Sequence, residues 1–281
     1  MADRVVLITG ATGKQGGATL RHLARQGGFK IRAMTRKPDS AAAKAVAALG
    51  ADVVAADLDD SASLERALAG VWGVFSVQNS WEAGVEKEEE QGKRLAKLAR
   101  DHGVQHFVYT SVGSAQEKTG IPHFENKGRI EETVKALGFP SHTILRPVFF
   151  MENLPSPAFL NGDKLVSTLK PDTKLQMIAT DDIGRFGARA FVAAGEMNGI
   201  ALDIAGDAVT MPEAAEAISE LVGKDVTYQR IPIEAVRQNS DDMARMLEWF
   251  DAVGYSADIP SLESTWGIRP MTLKEWVRSQ R

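Results

Sequence analysis

The residues most suited to chemistry lie at the start of the chain. Thr9-Gly10-Ala11-Thr12-Gly13-Lys14-Gln15-Gly16-Gly17 places Gly10, Gly13 and Gly16 at every third position. Glycine permits the positive φ and the close backbone approach that a tight strand-to-helix turn needs. Such a turn leaves backbone N–H groups and a helix N-terminus facing outward, which suits a pyrophosphate. The apolar run Val5-Val6-Leu7-Ile8 precedes it and the helical pattern Ala18–Gln26 follows. In that context the glycines predict a dinucleotide loop.

A second group decides between dinucleotides. A fold that holds a free ribose 2′-OH places an acid at the end of its second strand, about 20 residues past the glycines. Here that strand end reads Met34-Thr35-Arg36-Lys37-Pro38, with no acid before Asp39. Arg36 offers a guanidinium fork for a 2′-phosphate and a flat face for adenine. Lys14 and Lys37 add positive charge, so NADP(H) is expected rather than NAD(H). Asp57-Leu58-Asp59-Asp60 follows the third strand. Asp57 either accepts from the adenine amine, with Leu58 over the ring, or the segment caps the next helix through Asp59 or Asp60. Gln78 and Asn79 end the fourth strand, either along the central riboses or as turn formers.

The elements that must position these groups follow from periodicity. Strands are predicted at Val5–Ile8, Ile31–Met34, Val53–Ala56, Val74–Val77, Phe107–Thr110 and Thr143–Leu145, with helices between them at Ala18–Gln26, Ala41–Leu49, Ser63–Ala69, Val85–Arg100 and Phe124–Leu137. This alternation predicts an α/β fold, a doubly wound parallel sheet of Rossmann type. Prolines and glycines break the pattern after Arg146. Helices at Asp181–Ala194, Pro212–Val222, Ile233–Val253 (interrupted near Asn239-Ser240) and Leu273–Ser279, with strands at Ala201–Ile204 and Val226–Ile231, then suggest a smaller lobe. The expected domains are 1–150, binding the dinucleotide, and 151–281, a substrate-side lobe with segments that interleave with the main domain. The run Glu86-Lys87-Glu88-Glu89-Glu90 is expected to be a solvated first turn that complements the helix dipole, or else a partner-binding patch.

The 281 residues include no cysteine, which excludes disulfides, thiolate zinc sites and cysteine nucleophiles, and a reducing cytoplasm is the simplest location. The net charge of −4 provides no field for nucleic acid. No apolar run approaches the about 20 residues of a membrane helix, and Val5–Ile8 is too short for a signal-peptide core. His102 and His106 are separated by a helix-ending Gly103, so no metal site is expected.

These pieces together resemble the NmrA-like branch of the atypical short-chain dehydrogenases/reductases. The resemblance rests on Thr9–Gly17, Thr35-Arg36, Asp57–Asp60, Asn79-Ser80-Trp81-Glu82, His123-Phe124-Glu125-Asn126-Lys127-Gly128, Met151-Glu152-Asn153-Leu154 and Thr272-Leu273-Lys274-Glu275-Trp276. It implies that Thr12, Gly13, Lys14, Gln15 and Gly16 hold the pyrophosphate and Arg36 the 2′-phosphate. Asn79 and Lys127 would approach the nicotinamide ribose, and Phe150 and Asn153 would line the substrate side. Ordinary members of the wider superfamily pair Tyr-x-x-x-Lys, whereas the position four before Lys127 is His123. Either Lys127 shuttles the proton, with His123 as a second donor, or Lys127 only binds the ribose and His123 only starts a helix. Ser111 or Ser114 could orient a carbonyl. Trp81 either stacks on a flat substrate or anchors a loop. Phe124, Phe149, Phe150 and Met151 either extend an apolar pocket or belong to the core.

Two functions follow from the resemblance. One is an NADPH-dependent reductase of a small hydrophobic carbonyl, quinone or imine-like acceptor. The other is a non-catalytic NADPH/NADP redox sensor that regulates a protein partner. Homodimerisation is a family expectation; a role on DNA or a membrane is not expected.

Overall fold

Val5-Val6-Leu7-Ile8 has no polar residue to turn toward water, and Val6, Leu7 and Ile8 are fully buried. A strand apolar on both sides belongs inside a parallel sheet. The computed structural model, which describes residues 4–281, makes this run part of β1 (Arg4–Ile8). β2 (Phe29–Thr35), β3 (Asp52–Ala55), β4 (Gly73–Ser76), β5 (His106–Thr110) and β6 (Ser141–Pro147) alternate with α1 (Lys14–Gln26), α2 (Ala41–Ala47), α3 (Ser61–Leu68), α4 (Ser80–Ala83), α5 (Val85–Asp101) and α6 (Pro122–Ala136). Beyond them lie β7 (Phe149–Phe150), β8 (Leu160–Asn161), β9 (Lys164–Ser167), β10 (Leu175–Ile178), α7 (Thr180–Val192), β11 (Ile200–Ile204), β12 (Asp207–Val209), α8 (Met211–Val222) and β13 (Thr227–Arg230). The chain finishes with α9 (Ile233–Arg237), α10 (Asp241–Ala252), α11 (Ile259–Trp266) and α12 (Leu273–Ser279).

The main sheet has seven strands in the order β11-β6-β5-β4-β1-β2-β3. The pairs β2–β3, β1–β2, β1–β4, β4–β5 and β5–β6 are parallel. This is the expected doubly wound arrangement. The strand order reverses between β1 and β4, and in such sheets ligands bind beyond the carboxyl ends of the strands at that reversal.

The chain forms two compact units. The first runs to Ser111 and adds Asn126–Arg146 and Ile183–Leu202. Its core joins Leu7, Val74, Phe107 and Tyr109 of the sheet to Leu95 of α5 and Ile130 of α6. The second unit comprises Val112–Glu125, Pro147–Asp182 and Asp203–Arg281. It holds two three-stranded sheets, β12-β10-β7 and β13-β9-β8, around a core that includes Phe149, Trp249, Phe250 and Trp276. Segments of the two units therefore alternate along the chain. Close packing gives the reason for one of the exchanged segments. A Cβ on Gly184 would lie 2.5 Å from the Ala18 backbone, and one on Gly187 would lie 2.6 Å from Thr19 Oγ1. Those two glycines let α7 press against α1 inside the first unit.

The chain also forms short elements that periodicity did not predict, among them α4, β7, β12 and α11. Residues after Phe150 that read as irregular contain β8, β9 and β10, none longer than four residues. The helical stretch over Ile233–Val253 is interrupted at Asn239-Ser240 as expected, because Ser240 Oγ accepts from Met243 N–H at 3.1 Å and restarts the chain as α10. Thr272 does cap α12, in a reciprocal box with Glu275. Among the described residues no helix is long and apolar enough to cross a membrane.

Candidate active site

The loop between β1 and α1 is shaped by its glycines. Gly10 has φ +56°, and a Cβ there would lie 2.7 Å from Val77 Cγ1. Gly13 N–H donates to Gly10 carbonyl at 2.8 Å, which closes the turn. A Cβ on Gly16 would lie 2.4 Å from both the Gly10 and Thr9 carbonyl oxygens, so the helix can follow the strand this closely only with glycine. Thr9 fixes the loop beside β4: its Oγ1 donates to the Val77 carbonyl at 3.0 Å and accepts from Val77 N–H at 2.8 Å.

Helix α1 starts at Lys14 with Gly13 as its N-cap, no side chain caps it, and no acid occupies its first turn. Its first N–H groups and the positive end of its dipole thus remain available to an anion. Thr12, Gly13 and Lys14 are exposed at this point. At the neighbouring strand ends, Gln78 Oε1 and Ser111 Oγ are buried without a hydrogen-bond partner. Buried polar atoms are rarely left so, and a ligand hydroxyl would satisfy them. A glycine cradle, an uncapped helix and two orphaned acceptors fit a dinucleotide. Gln15 Oε1 accepts from Thr110 Oγ1 at 2.6 Å, which ties the start of α1 to the end of β5.

Arg36 follows β2, as expected, and is exposed. Its Nη2 lies 2.5 Å from Glu82 Oε1 of α4, and that carboxylate holds the guanidinium more firmly in its charged form. Asp57 Oδ1 closes its own turn by accepting from Asp59 N–H at 3.0 Å. Leu58 packs on the core beside it. The cap of α3 is Asp60, accepting from Ala62 N–H at 3.0 Å. Asp59 instead binds Lys87 at 2.9 Å and Gln91 at 3.1 Å. Asn79 Oδ1 is the N-cap of α4, accepting from Trp81 N–H at 3.1 Å. Trp81 is 59% exposed.

Helix α6 carries the most specific motif. Within the first unit, Lys127 Nζ lies 2.5 Å from Glu88 Oε1 of α5. Asn126 Nδ2 donates to Glu88 Oε2 and to the Val85 carbonyl, both at 2.8 Å. Glu88 is completely buried, which corrects the reading of Glu86–Glu90 as a solvated face. The signal was present in the sequence. The buried residues of α5 are Glu88, Gln91, Gly92, Leu95, Ala96 and Ala99, a regular helical stripe that includes the acid. Within the second unit, His123 Nδ1 lies 2.6 Å from Asp242 Oδ2 of α10, and its backbone N–H donates to Asp242 Oδ1 at 3.3 Å. Asp242 was not anticipated; nothing local marks it.

No tyrosine replaces the one missing from Tyr-x-x-x-Lys. The chain has three tyrosines. Burial, reinforced by Glu88, pushes the Tyr109 phenol well up, and burial also raises Tyr255. Tyr228 is pushed up to about 12 by burial and donates to the Leu169 carbonyl. A phenol useful as an acid needs the opposite shift.

Of the apolar residues expected on the substrate side, Phe124 is a core residue. It is 1% exposed, with its ring stacked on Tyr255 at 6.0 Å and edge-on to Trp249 at 5.8 Å. Phe149 and Met151 are buried as well, whereas Phe150 and Asn153 are half-buried. Glu152 of the same motif has a packing role: its Oε1 accepts from Thr180 N–H at 2.9 Å and from Trp276 Nε1 at 3.2 Å. Ser114 is buried at φ +61°, with its N–H directed to Asp203. A cavity of about 130 Å³ in the second unit is lined by residues including Phe159, Val166, Val236 and Met243.

The NmrA-like family profile matches residues 2–279. The chain belongs to the NmrA-like family. Its relatives include an NmrA-like family domain-containing protein of Dictyostelium discoideum, 28% identical, with 90% of this chain and 89% of that protein aligned. The NmrA-like family domain-containing oxidoreductase hkm9 of Aspergillus hancockii is 30% identical over 93% of this chain and 80% of its own length. Matches to several other fungal oxidoreductases of the family span about half of each, 47%, 49% and 51%. Among solved structures, the NADPH-dependent quinone oxidoreductase QOR2 of Escherichia coli, complexed with NADPH, is 28% identical with a TM-score of 0.81, covering 98% of this chain and 99% of that one.

Proposed function

We propose that this NmrA-like protein is an NADPH-dependent reductase of a small hydrophobic quinone, carbonyl or imine-like acceptor. The observation that carries the reading is the uncapped start of α1 behind the Gly10–Gly16 turn, with Arg36 rather than an acid at the end of β2. Family relatives named as oxidoreductases, and the likeness to the NADPH-bound quinone oxidoreductase, support it.

When bound, NADPH supplies a hydride, two electrons and one proton, to the acceptor. In this reading Gly13, Lys14, Gln15 and Gly16 hold the pyrophosphate, assisted by Thr12 and the turn glycine Gly10, and Arg36 holds the 2′-phosphate. Asp57 and Leu58 border the adenine. Gln78, Asn79 and Lys127 meet the riboses. Reduction of a carbonyl or quinone oxygen requires one further proton. Lys127 Nζ delivers it and is reprotonated from water. Trp81 lies with the acceptor.

The non-catalytic sensor is the second reading. It is favoured by the His123 ring being taken up by Asp242 where a reactive phenol would otherwise stand. NADPH oxidation across a panel of quinones, aldehydes and dyes separates the two. Turnover above the buffer blank, strongly reduced in Lys127→Ala, is expected; turnover at the blank with every acceptor sinks the reductase.

A further inference from the structure

We infer that Glu88 is a positioning residue that aims the Lys127 ammonium, an assignment that rests on the reductase reading of Lys127. A carboxylate with no exposed surface is expensive to keep charged unless its oxygens are all met. Glu88 spends both on one segment of α6: Oε1 on Lys127 Nζ at 2.5 Å and Oε2 on Asn126 Nδ2 at 2.8 Å. Asn126 is itself pinned, since its amide also donates to the Val85 carbonyl at 2.8 Å. The carboxylate therefore cannot swing without breaking bonds to two neighbours.

Lysine has a long stem with several rotatable bonds, and its ammonium carries three donors. With one donor directed at Glu88, the remaining two point in defined directions. The Lys127 side chain is 13% exposed, so most of its length is packed against protein and little of it is free to wander in solvent. A ribose hydroxyl and an acceptor oxygen are two groups, matching the two donors left. Glu88 touches neither of them and acts only through Lys127. Its place on the buried stripe of α5, where leucine or alanine would pack at less cost, is then explained by function rather than by stability.

The test is Glu88→Gln, which keeps the shape and removes the charge. Expected are a kcat reduced more than tenfold, an NADPH Kd within threefold of wild type by fluorescence titration, and no further loss when it is added to Lys127→Ala. A kcat reduced less than tenfold, a parallel loss of NADPH affinity, or effects that multiply with Lys127→Ala would overturn the assignment. A second measurement needs neither the variant nor turnover. NMR relaxation of the Lys127 15Nζ in wild type is expected to show an ordered ammonium, and a freely rotating side chain would refute the proposal. If no acceptor is turned over but Lys127 is ordered, the reductase reading has failed while the Glu88 clamp stands.

Discussion

Arg36 and Glu82, 46 residues apart in the chain, meet at 2.5 Å on the first unit. The guanidinium proposed for a 2′-phosphate is thus already occupied by an anion of the protein. Both side chains are more than half exposed, at 59% and 55%, so the pair is worth about 0–1 kcal/mol. That is small against a charge-assisted contact to phosphate, yet it opposes it. Glu82→Gln is expected to tighten NADP+ binding by about two- to fivefold and leave NAD+ unchanged, in line with an exposed pair. Arg36→Glu should abolish the preference. Isothermal titration of both cofactors checks this, and equal wild-type affinities for NADP+ and NAD+ would refute the role of Arg36.

Gly16 has no room for a methyl group, because both nearest atoms, at 2.4 Å, are backbone carbonyl oxygens. Gly16→Ala must displace either the start of α1 or the end of β1. The expected cost is about 1–3 kcal/mol in urea unfolding, the usual range for overpacking. NADPH affinity should fall further than stability alone explains, because the displaced atoms are those proposed to cradle the pyrophosphate. An unchanged unfolding midpoint would show that the loop is slacker than described.

Stability should fall on mild acidification through His106. Its ring is buried on β5, stacked on Trp72 at 5.8 Å, and burial lowers its pKa to about 4 from the ordinary 6.5. The unfolded chain takes up the proton first, so the contribution is full above pH 6.5 and is lost as pH falls toward 4. About 2 kcal/mol should be gone by pH 5, a single site's linkage over 1.5 pH units. His142, shifted down by its partial burial, acts with the same sign. Urea unfolding at pH 7, 6 and 5 measures the slope, and His106→Gln should flatten it. A pH-independent midpoint over this range would contradict the burial argument.

Asp242 satisfies two groups of His123, the backbone N–H and the ring. Asp242→Ala leaves both without that acceptor and should cost about 1–3 kcal/mol. If His123 also donates a proton in turnover, kcat should fall while NADPH affinity holds. Parallel denaturation and steady-state assays separate these effects; loss of stability with unchanged kcat would leave His123 a structural residue.

Much of this protein was legible in its sequence because the relevant signals are local. The short apolar runs at Val5–Ile8 and Phe107–Tyr109 read as interior strands, and their alternation with helical stripes leads to a parallel sheet. Glycine at positions 10 and 16 reports backbone geometry within a few residues of itself, and the absence of an acid before Asp39 is read by inspection. What escaped is non-local. Glu88 meets Lys127 across 39 residues and His123 meets Asp242 across 119. The apolar stripe of α5 extends back to Glu88 and singles out that carboxylate, but nothing local names the ammonium that meets it. Phe124 could face a substrate or a core until Tyr255 and Trp249 arrive against its ring. The two-residue strands β7 and β8 are too short to carry any periodicity, so tertiary pairing alone creates them. Sequence by itself determined the sheet, the glycine turn and the charge beside it. Tertiary structure decided which side chains are held and by what, because a buried charge is tolerable only where a partner from elsewhere in the chain comes to meet it.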